Sequence, residues 1–279
     1  MEVYELERKS SQYRKTILSI IKKANGGHTG GSLSCVDILN VLYNHTLNVT
    51  PETFSSPDRD RYIQSKGHSV EALFTVLADR GYFPKEELDT LGEYQSHFIG
   101  HPTRKVNGIE QNTGALGHGL PIAVGTALAG KKDQRSYKVF TLLGDGELTE
   151  GSNWEAMMAA AHYRLDNLVV IIDRNTLQIT GRTEYVLALE PLDDKFRSFG
   201  FEIRSVPGNN IAELIKTFEQ LPFEKNKPNI VIAHTTKGKG VSFIEDEKSW
   251  HHHVPSDKEY KLAMEELQVA ENEWLKVYG

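Results

Sequence analysis

Apolar positions in the first third of the chain recur at the spacing of an α-helix. Gly26-Gly27 follow the first such run, which covers residues 3–24. Its apolar positions are Val3, Leu6, Tyr13, Ile17, Ile20 and Ile21. The pattern predicts a helix that ends near the two glycines. By the same reasoning the sequence predicts a helix at 34–45, a short strand at 61–65, and helices at 70–79 and 84–91.

The second half of the chain carries short runs that are apolar throughout. These runs predict buried strands at 137–143, 168–173, 201–206 and 229–233, separated by helices at 151–164, 191–199 and 210–221. Strands of this kind, alternating with helices, are typical of a parallel sheet covered on both faces. A last amphipathic helix is predicted at 257–278. The sequence therefore predicts an α/β fold, a doubly wound parallel sheet with helices on both faces, as a single domain over residues 1–279.

Composition and charge narrow the class of protein. Of 279 residues, 39% are hydrophobic and 25% charged, which is typical of a globular domain. Lys+Arg 32 against Asp+Glu 38 gives a net charge of -6, which disfavours non-specific nucleic-acid binding. The single cysteine, Cys35, excludes a disulfide framework and predicts a small buried side chain. No apolar run reaches the roughly 20 residues of a membrane span, and the charged N-terminus does not resemble a signal peptide, so we expect a cytoplasmic protein without a membrane partner.

Polar residues follow two consecutive predicted strands. Gly144-Asp145-Gly146-Glu147 comes after the first, and Asn175 lies at the end of the next, about thirty residues later. Because carboxyl ends of parallel strands share one edge of the sheet, Asp145 and Asn175 are expected to converge there. Their oxygens suit Mg²⁺, which retains water and takes phosphate oxygens as further ligands. The glycines allow close backbone approach, and a helix beginning near Gly151 is expected to offer N–H groups to a diphosphate.

These residues resemble the thiamine diphosphate motif, GDG followed by Asn, and the surrounding sequence resembles the transketolase family in particular. Similar segments occur in the family's order along nearly the whole chain: KANGGHTGGSLSCVDIL near the N-terminus, SKGHSVEALF at 65–74, IGHPTRKVNGIEQNTGALGHGLPIAVGTALAGK at 99–131, GDGELTEGSNWEAMMAAAHYRLDNLVVIIDRNTLQITG from 144, and HTTKGKGVSFIEDEKSWH at 234–251. Thr29 stands where the family usually has Pro.

The resemblance implies the cofactors thiamine diphosphate and Mg²⁺ and assigns residues to them. Asp145, Asn175 and the carbonyl of Leu177 are the implied metal ligands. The implied contacts to the cofactor are Gly146 and His68 at the diphosphate, Gly114 and Leu116 at the aminopyrimidine, Ile179 at the middle, Asn175, and Glu150 beside the subunit interface.

Several of the 11 histidines lie in Gly/Pro-rich segments. His28, His101 and His251 are the expected catalytic residues, because the resemblance places them at the substrate and a neutral imidazole near its ordinary pKa of about 6.5 suits proton transfer. For His118, where transketolases more often have Gln, no role is predicted. His252 and His253 are expected to be solvated loop residues.

The run Lys237-Gly238-Lys239-Gly240 lacks the spacing of a phosphate-binding P-loop. We expect this run to form a mobile loop that closes over the cofactor.

The resemblance covers only the diphosphate-binding half of a transketolase. In the family a second domain supplies the glutamate that activates the cofactor, the aromatic residue against the pyrimidine and the basic residues for the sugar phosphate. The sequence is therefore expected to be one subunit of a split transketolase, paired with a separate C-terminal-half subunit in a heterotetramer and acting on sugar phosphates. The alternatives are a subunit of a related thiamine enzyme, either a 2-oxoacid dehydrogenase first component or a deoxyxylulose-phosphate synthase type, and a non-catalytic assembly subunit that kept the cofactor pocket.

Overall fold

A five-stranded parallel sheet organises the computed structural model, which describes residues 1–278; Gly279, the last residue of the predicted domain, lies outside this range. The strands are β1 (Arg61–Gln64), β2 (Val139–Gly144), β3 (Leu168–Arg174), β4 (Leu177–Gln178), β5 (Gly181–Arg182), β6 (Glu202–Pro207) and β7 (Asn229–His234). The main sheet has the order β1-β2-β3-β7-β6, and β4 and β5 form a small antiparallel hairpin.

Nine α-helices are assigned within the described residues: α1 (Val3–Ala24), α2 (Thr29–Val41), α3 (Val70–Asp79), α4 (Gly119–Lys132), α5 (Gly151–His162), α6 (Thr183–Val186), α7 (Leu192–Ser198), α8 (Ile211–Phe218) and α9 (Asp257–Tyr278). Short 3₁₀ turns lie at Gly67–Ser69, Lys85–Thr90, Gly146–Thr149 and Lys248–His252, and one π turn lies at Leu42–Thr46. None of the described helices is both long and apolar enough to cross a membrane.

Alternate residues of the central strands enter two separate hydrophobic cores. Phe140 and Leu142 face a core built with α1, α2, α3 and α8. Val139 and Leu143 face the opposite core, built with α4, α5 and α7. A strand whose side chains are buried on both sides has no polar face, which explains the continuous apolar runs of the sequence. The predicted doubly wound parallel sheet with helices on both faces is confirmed.

The helices differ from the prediction in three places. Helix α4 was not predicted, because its Gly- and Ala-rich sequence has no clear polar face. Helix α2 begins five residues earlier than expected and includes Gly30. A side-chain Cβ at Gly30 would come within 2.9 Å of the Trp250 carbonyl, so this glycine allows close packing inside the helix. The helix expected at 84–91 is a 3₁₀ turn in which Leu88 is the buried residue.

The carboxyl ends of four neighbouring strands lie side by side. In the register of the sheet, Gln64 pairs with Leu142 and Gly144 with Asp173. On the other side of β3, Arg174 pairs with His234 of β7. The loops that leave β1, β2, β3 and β7 therefore begin at the same edge. The irregular segment 95–118, which lies between the Lys85–Thr90 turn and α4, completes that edge.

Candidate active site

A cavity of about 420 Å³ opens at this edge of the sheet. It brings together all the predicted site residues except His101, whose ring lies beside Gly114 of the lining. The predicted residues that line it are His28, His68, Gly114, Leu116, Asp145, Gly146, Glu150, Asn175, Leu177, Ile179 and His251.

Three oxygen-bearing groups expected at a metal lie at the ends of β2 and β3. One Asp145 oxygen, Oδ1, accepts a hydrogen bond from the Gly146 N–H at 2.8 Å. Its Oδ2 accepts from the Thr176 N–H at 2.6 Å and from Arg174 at 3.1 Å. Asn175 Oδ1 accepts from the Leu177 N–H at 3.1 Å, which fixes the amide beside Asp145. Burial, followed by the nearby charge of Asp173, raises the pKa of Asp145.

Two buried lysines also line the cavity, and neither was predicted as a site residue. Lys66 follows β1 and forms an ion pair with Asp173. Lys237 follows β7, and its Nζ donates to the Leu177 carbonyl at 3.1 Å. Burial, together with the positive charge of Lys66, lowers the pKa of Lys237 to about 8. The signal available in the sequence was position, because each lysine lies within three residues of the end of a buried strand.

The loop at 237–240, predicted to be mobile, is held on both sides. The Gly238 N–H donates to the Gly30 carbonyl at 3.0 Å, and the Lys239 carbonyl accepts from Arg14 at 2.8 Å. Gly238 and Gly240 have φ values of 78° and 101°, which a residue with a side chain adopts only under strain. The glycines therefore shape the turn that aims Lys237 into the cavity, and closure over a cofactor stays a prediction.

Five histidine rings form a cluster with His28 at its centre. Four of them, including His28, were predicted as site residues, and the fifth was not. Ring centroids lie 5.2 Å from His28 for His68, 6.2 Å for His101 and 5.7 Å for His251. The ring of His252 lies nearer still, at 4.6 Å. His252 is exposed, as predicted for a solvated residue, and its ring in addition packs against His28.

The other histidines of these segments lie outside the cluster. His253 packs on Trp250, with ring centroids 4.3 Å apart, and its Nε2 lies 3.4 Å from Glu259. His118 is exposed at the start of α4, where its Nδ1 lies 3.0 Å from the Leu116 carbonyl. The cavity lining includes neither residue.

Burial lowers the pKa of His28, His68, His101 and His251 below the expected value. Burial lowers the pKa of His28 to about 4, with the nearby His252 adding to the effect. Burial and the charge of Lys237 lower the pKa of His251 to about 3, and burial also lowers the pKa of His68 and His101. His251 Nδ1 lies 2.8 Å from Lys237 Nζ. Because an ammonium group can only donate, His251 Nδ1 accepts this hydrogen bond and carries no proton itself. The rings of His28, His68, His101 and His251 are therefore neutral at pH 7, with the His251 proton on Nε2.

Tight backbone packing forms the cavity wall beside the irregular segment. Gly114 has φ +144°, and a Cβ there would lie 2.7 Å from the His101 ring. A Cβ on Gly67 would lie 2.8 Å from the Gly114 nitrogen. Glu147, a buried residue of the lining, accepts from the Gly117 and Gly144 N–H groups at 2.9 and 3.1 Å. These close contacts hold 114–117 against the ends of β1 and β2.

The backbone after Asp145 differs from the prediction. We expected the N-terminus of a helix at Gly151 to face the diphosphate, but a 3₁₀ turn, Gly146–Thr149, comes first. The cavity lining includes Gly146, Thr149 and Glu150 and stops short of Gly151. The backbone at this wall therefore belongs to the 3₁₀ turn, whose first N–H group, that of Gly146, donates to Asp145 Oδ1.

The residues of the cavity fit thiamine diphosphate with a divalent cation. A carboxylate, an amide oxygen and a backbone carbonyl form a hard oxygen set of the type that Mg²⁺ takes together with phosphate oxygens. Two buried ammonium groups, Lys66 and Lys237, supply positive charge for a diphosphate. His28 Nδ1 is buried and lacks a hydrogen-bond partner within the described chain, so it is available to a ligand. The histidine cluster itself is not a metal site: within residues 1–278, no group of three or more His, Cys, Asp or Glu side chains has the arrangement to hold a metal ion.

Comparison with known proteins agrees with this chemistry. The family model described as "Transketolase, thiamine diphosphate binding domain" matches residues 7–277. The chain is 48% identical over 267 residues to an apulose-4-phosphate transketolase subunit from Phocaeicola vulgatus, covering 96% of this chain and 95% of that protein. It is 40% identical to the 6-deoxy-6-sulfo-D-fructose transketolase subunit SqwG of a Clostridium species, covering 95% and 96%.

Longer transketolases share the same fold. The crystal structure of transketolase from Campylobacter jejuni superimposes with a TM-score of 0.84 at 30% identity, over 99% of this chain and 48% of that one. The chain thus spans about half the length of the transketolases of known structure that it matches, while it matches the subunit proteins over nearly their whole length. The chain therefore belongs to the transketolase family, as a subunit built on its thiamine diphosphate-binding domain.

Proposed function

We propose that this subunit of a two-component, thiamine diphosphate-dependent transketolase transfers a two-carbon ketol unit from a ketose phosphate to an aldose phosphate. In the proposal, residues 1–279 form one diphosphate-side domain, and a separate subunit carries the pyrimidine-side and C-terminal domains. The observation that carries the proposal is the convergence of four strand ends on one cavity, which receives Lys66, Asp145, Asn175 and Lys237.

Each group at the strand ends has a distinct task in the proposal. Asp145, Asn175 and the Leu177 carbonyl would hold Mg²⁺, and the two lysines with His68 would hold the diphosphate. When bound, thiamine diphosphate supplies the carbanion that attacks the ketose carbonyl and the electron sink for cleavage of the adjacent C–C bond. The protein has to hold it in place and keep bulk water from the reacting atoms.

The neutral histidines are suited to proton transfer with sugar hydroxyls. A neutral imidazole has one donor and one acceptor nitrogen, so His28 and His101 would each accept or return a hydroxyl proton. His251, whose Nδ1 faces Lys237, would donate a hydrogen bond to the substrate from Nε2. The low pKa of His28 keeps its ring available as an acceptor throughout the neutral pH range. The intact cluster argues against a non-catalytic assembly subunit, because crowding five imidazoles beside two lysines has no evident structural benefit.

Exposed apolar side chains beside the cavity support docking of the partner subunit. Ile179 lies at the cavity lining and is 69% exposed, and Tyr185 nearby on α6 is 90% exposed. The neighbouring Val186 and Leu187 are also exposed. Apolar patches of this kind mark interaction sites, and Glu150, exposed at the cavity mouth, borders the same opening. Since closed symmetry is usual for oligomers, two copies of each subunit are proposed.

The test is reconstitution with the partner that co-purifies with the full chain. Ketose phosphate consumption with an aldose phosphate acceptor should require both subunits, thiamine diphosphate and Mg²⁺. Consumption of pyruvate instead would favour a related thiamine enzyme, and full turnover by the chain without a partner would contradict the two-component proposal.

A matched pair of histidine variants separates a catalytic subunit from an assembly subunit. In the reconstituted enzyme, His101→Ala should lower kcat/KM by about 100-fold or more, as expected for loss of a general acid or base. His162→Ala, at the exposed end of α5, should stay within about twofold of the wild type. Equal activity of the two variants would remove the proposed role of the cluster.

A further inference from the structure

Arg174, at the end of β3, connects the candidate metal site to the exposed segment 183–190. Its side chain is only 4% exposed, and its guanidinium meets four acceptors. Nη1 donates to Asp145 Oδ2 at 3.1 Å and to Thr183 Oγ1 at 2.7 Å. Nη2 donates to Glu184 Oε1 and to Glu190 Oε1, each at 2.9 Å. One buried cation is thus shared between a cavity carboxylate and two carboxylates on the segment.

The two glutamates fold the segment around this guanidinium. Glu184 accepts hydrogen bonds from the Leu189 N–H at 3.2 Å and the Glu190 N–H at 3.3 Å. Glu190 Oε2 accepts from the Leu192 N–H at 2.8 Å. Both glutamate side chains are partly exposed, and the segment has no strand partner of its own in the part of the chain that the structure describes. Arg174 therefore holds both ends of the segment, beside a hydrogen bond from Lys195 Nζ to the Leu189 carbonyl at 2.6 Å.

We propose that Arg174 is a positioning residue that couples cation binding at Asp145 to the ordering of segment 183–190. A divalent cation beside Asp145 neutralises part of the charge of that carboxylate and repels the Arg174 guanidinium. The guanidinium is then held more strongly by Glu184 and Glu190, and the segment becomes better ordered. Because coupling between two sites is reciprocal, a partner subunit that docks on Tyr185 and orders the segment should also tighten cation binding.

This inference rests on the proposed function, since it requires Mg²⁺ with thiamine diphosphate at Asp145. The test therefore measures binding and segment ordering in the full chain, without relying on turnover. Isothermal titration with Mg²⁺ at saturating thiamine diphosphate gives the affinity. Hydrogen exchange of the amides at 183–190, with and without the two ligands, gives the ordering.

The central variant is Glu184→Gln/Glu190→Gln, which leaves every cavity-lining residue in place. It should lower the Mg²⁺ affinity by about 10- to 100-fold, as expected for residues that act through a ligand's neighbour. In the wild type the ligands should slow exchange at 183–190 by about 10-fold, and in this variant by less than twofold.

A double-mutant cycle separates coupling through Arg174 from the simple attraction of two negative charges for a cation. In an Arg174→Gln background, the glutamate substitutions should no longer change the Mg²⁺ affinity, since the connecting group is absent. An unchanged effect in that background would overturn the proposal. If Arg174→Gln does not fold, Arg174→Lys takes its place, because one ammonium keeps the buried charge but does not span all four acceptors.

A distant arginine provides the control. Arg135, after α4, forms its ion pair with Asp58, outside the Asp145 network. Arg135→Gln should leave both the affinity and the exchange response within about twofold of the wild type. Failure of the wild-type protein to bind Mg²⁺ and thiamine diphosphate, both alone and with its partner subunit, would overturn the proposed function and this coupling together. Binding without any change in exchange at 183–190 would overturn the coupling alone.

Discussion

Two buried carboxylates at adjacent strand ends have opposite surroundings. Asp173, at the end of β3, accepts hydrogen bonds from Lys66, Ser34, Asn175 and Thr235. Burial alone would raise its pKa, but the Lys66 ammonium outweighs burial and holds the pKa below its usual value. The pairing thus keeps Asp173 charged inside the protein, where the cavity lining does not include it.

Asp145, one strand away, is less completely satisfied by the protein. Its Oδ1 has the Gly146 N–H as its hydrogen-bond donor, and burial raises the pKa of the group. Its side chain reaches the cavity. The difference shows how one sheet edge combines two tasks: Asp173 uses its lone pairs to hold the loops together, whereas Asp145 keeps acceptor capacity for a ligand.

The strongest test of this comparison is Asp173→Asn. The substitution leaves Lys66 buried without a counter-charge, so the free energy of unfolding should fall by about 3–5 kcal/mol. Urea denaturation measures the loss. Replacing both members, as in Lys66→Met/Asp173→Asn, should recover part of the stability, and a loss below about 1 kcal/mol in the single variant would mean that the pair is not structural.

Asp145→Asn should show the opposite balance between stability and binding. Arg174 keeps Glu184 and Glu190 as partners, so the free energy of unfolding should change by about 1 kcal/mol. The affinity for Mg²⁺ in the presence of thiamine diphosphate should fall by about 100-fold. Loss of a direct ligand should cost at least as much affinity as loss of a residue that only supports a ligand. Calorimetric titration beside a urea curve gives both values, and unchanged Mg²⁺ affinity would exclude Asp145 as a ligand.

The pH dependence of stability tests the cavity side of the comparison. The pKa of His28 falls from 6.5 to about 4 on folding, so between these pH values the unfolded chain binds a proton that the folded chain does not. The free energy of unfolding should therefore decrease as the pH falls from 6.5 to 4. His28→Gln should make this decrease smaller. Thermal melting of the ligand-free chain across this range measures it, and identical profiles would contradict the low pKa.

The smallest effect is expected on the exposed apolar surface. Tyr185→Ser removes a side chain that is 90% exposed, so the stability should stay within about 0.5 kcal/mol of the wild type. Affinity for the partner subunit should fall by about 10-fold, since interface aromatics carry a large share of binding energy. Surface plasmon resonance provides the measurement, with Tyr4→Ser as an exposed tyrosine on α1. Equal affinities for the two variants would place the interface elsewhere.

The sequence predicted the strand ends well because buried parallel strands have a strong local signature. The runs around β2 and β3 located Asp145 and Asn175 correctly at one edge. Helix α4 was missed for the converse reason, since a helix buried on most sides has no amphipathic pattern. Gly119 in that helix illustrates the cause: a Cβ there would lie 2.4 Å from Ser65, so glycine serves close packing and does not end the helix.

Electrostatics at the site was the part least accessible from sequence. An ordinary pKa was expected for the site histidines, and this prediction was wrong. The pKa of each ring depends on burial and on neighbours from distant segments, which the sequence does not reveal. Lys237 lies 2.8 Å from His251, and Lys66 reaches the same cavity from β1. Lys66 is followed closely by His68 in the sequence, but its ion pair with Asp173 spans 107 residues, a pairing that no local pattern indicates.

The contact between the N-terminal and C-terminal segments of the chain at the cavity has a consequence for how the protein is made. Thr29 Oγ1 donates a hydrogen bond to the His253 carbonyl, 224 residues further along the chain, and the ring of His28 packs against His252. During synthesis the first α-helices leave the ribosome long before their partners do. The cavity is therefore assembled only after translation has passed the 251–253 loop, and contacts of such long range make folding slow. A chain interrupted before that loop would keep most of its sheet but would have no complete wall on which to place a ligand.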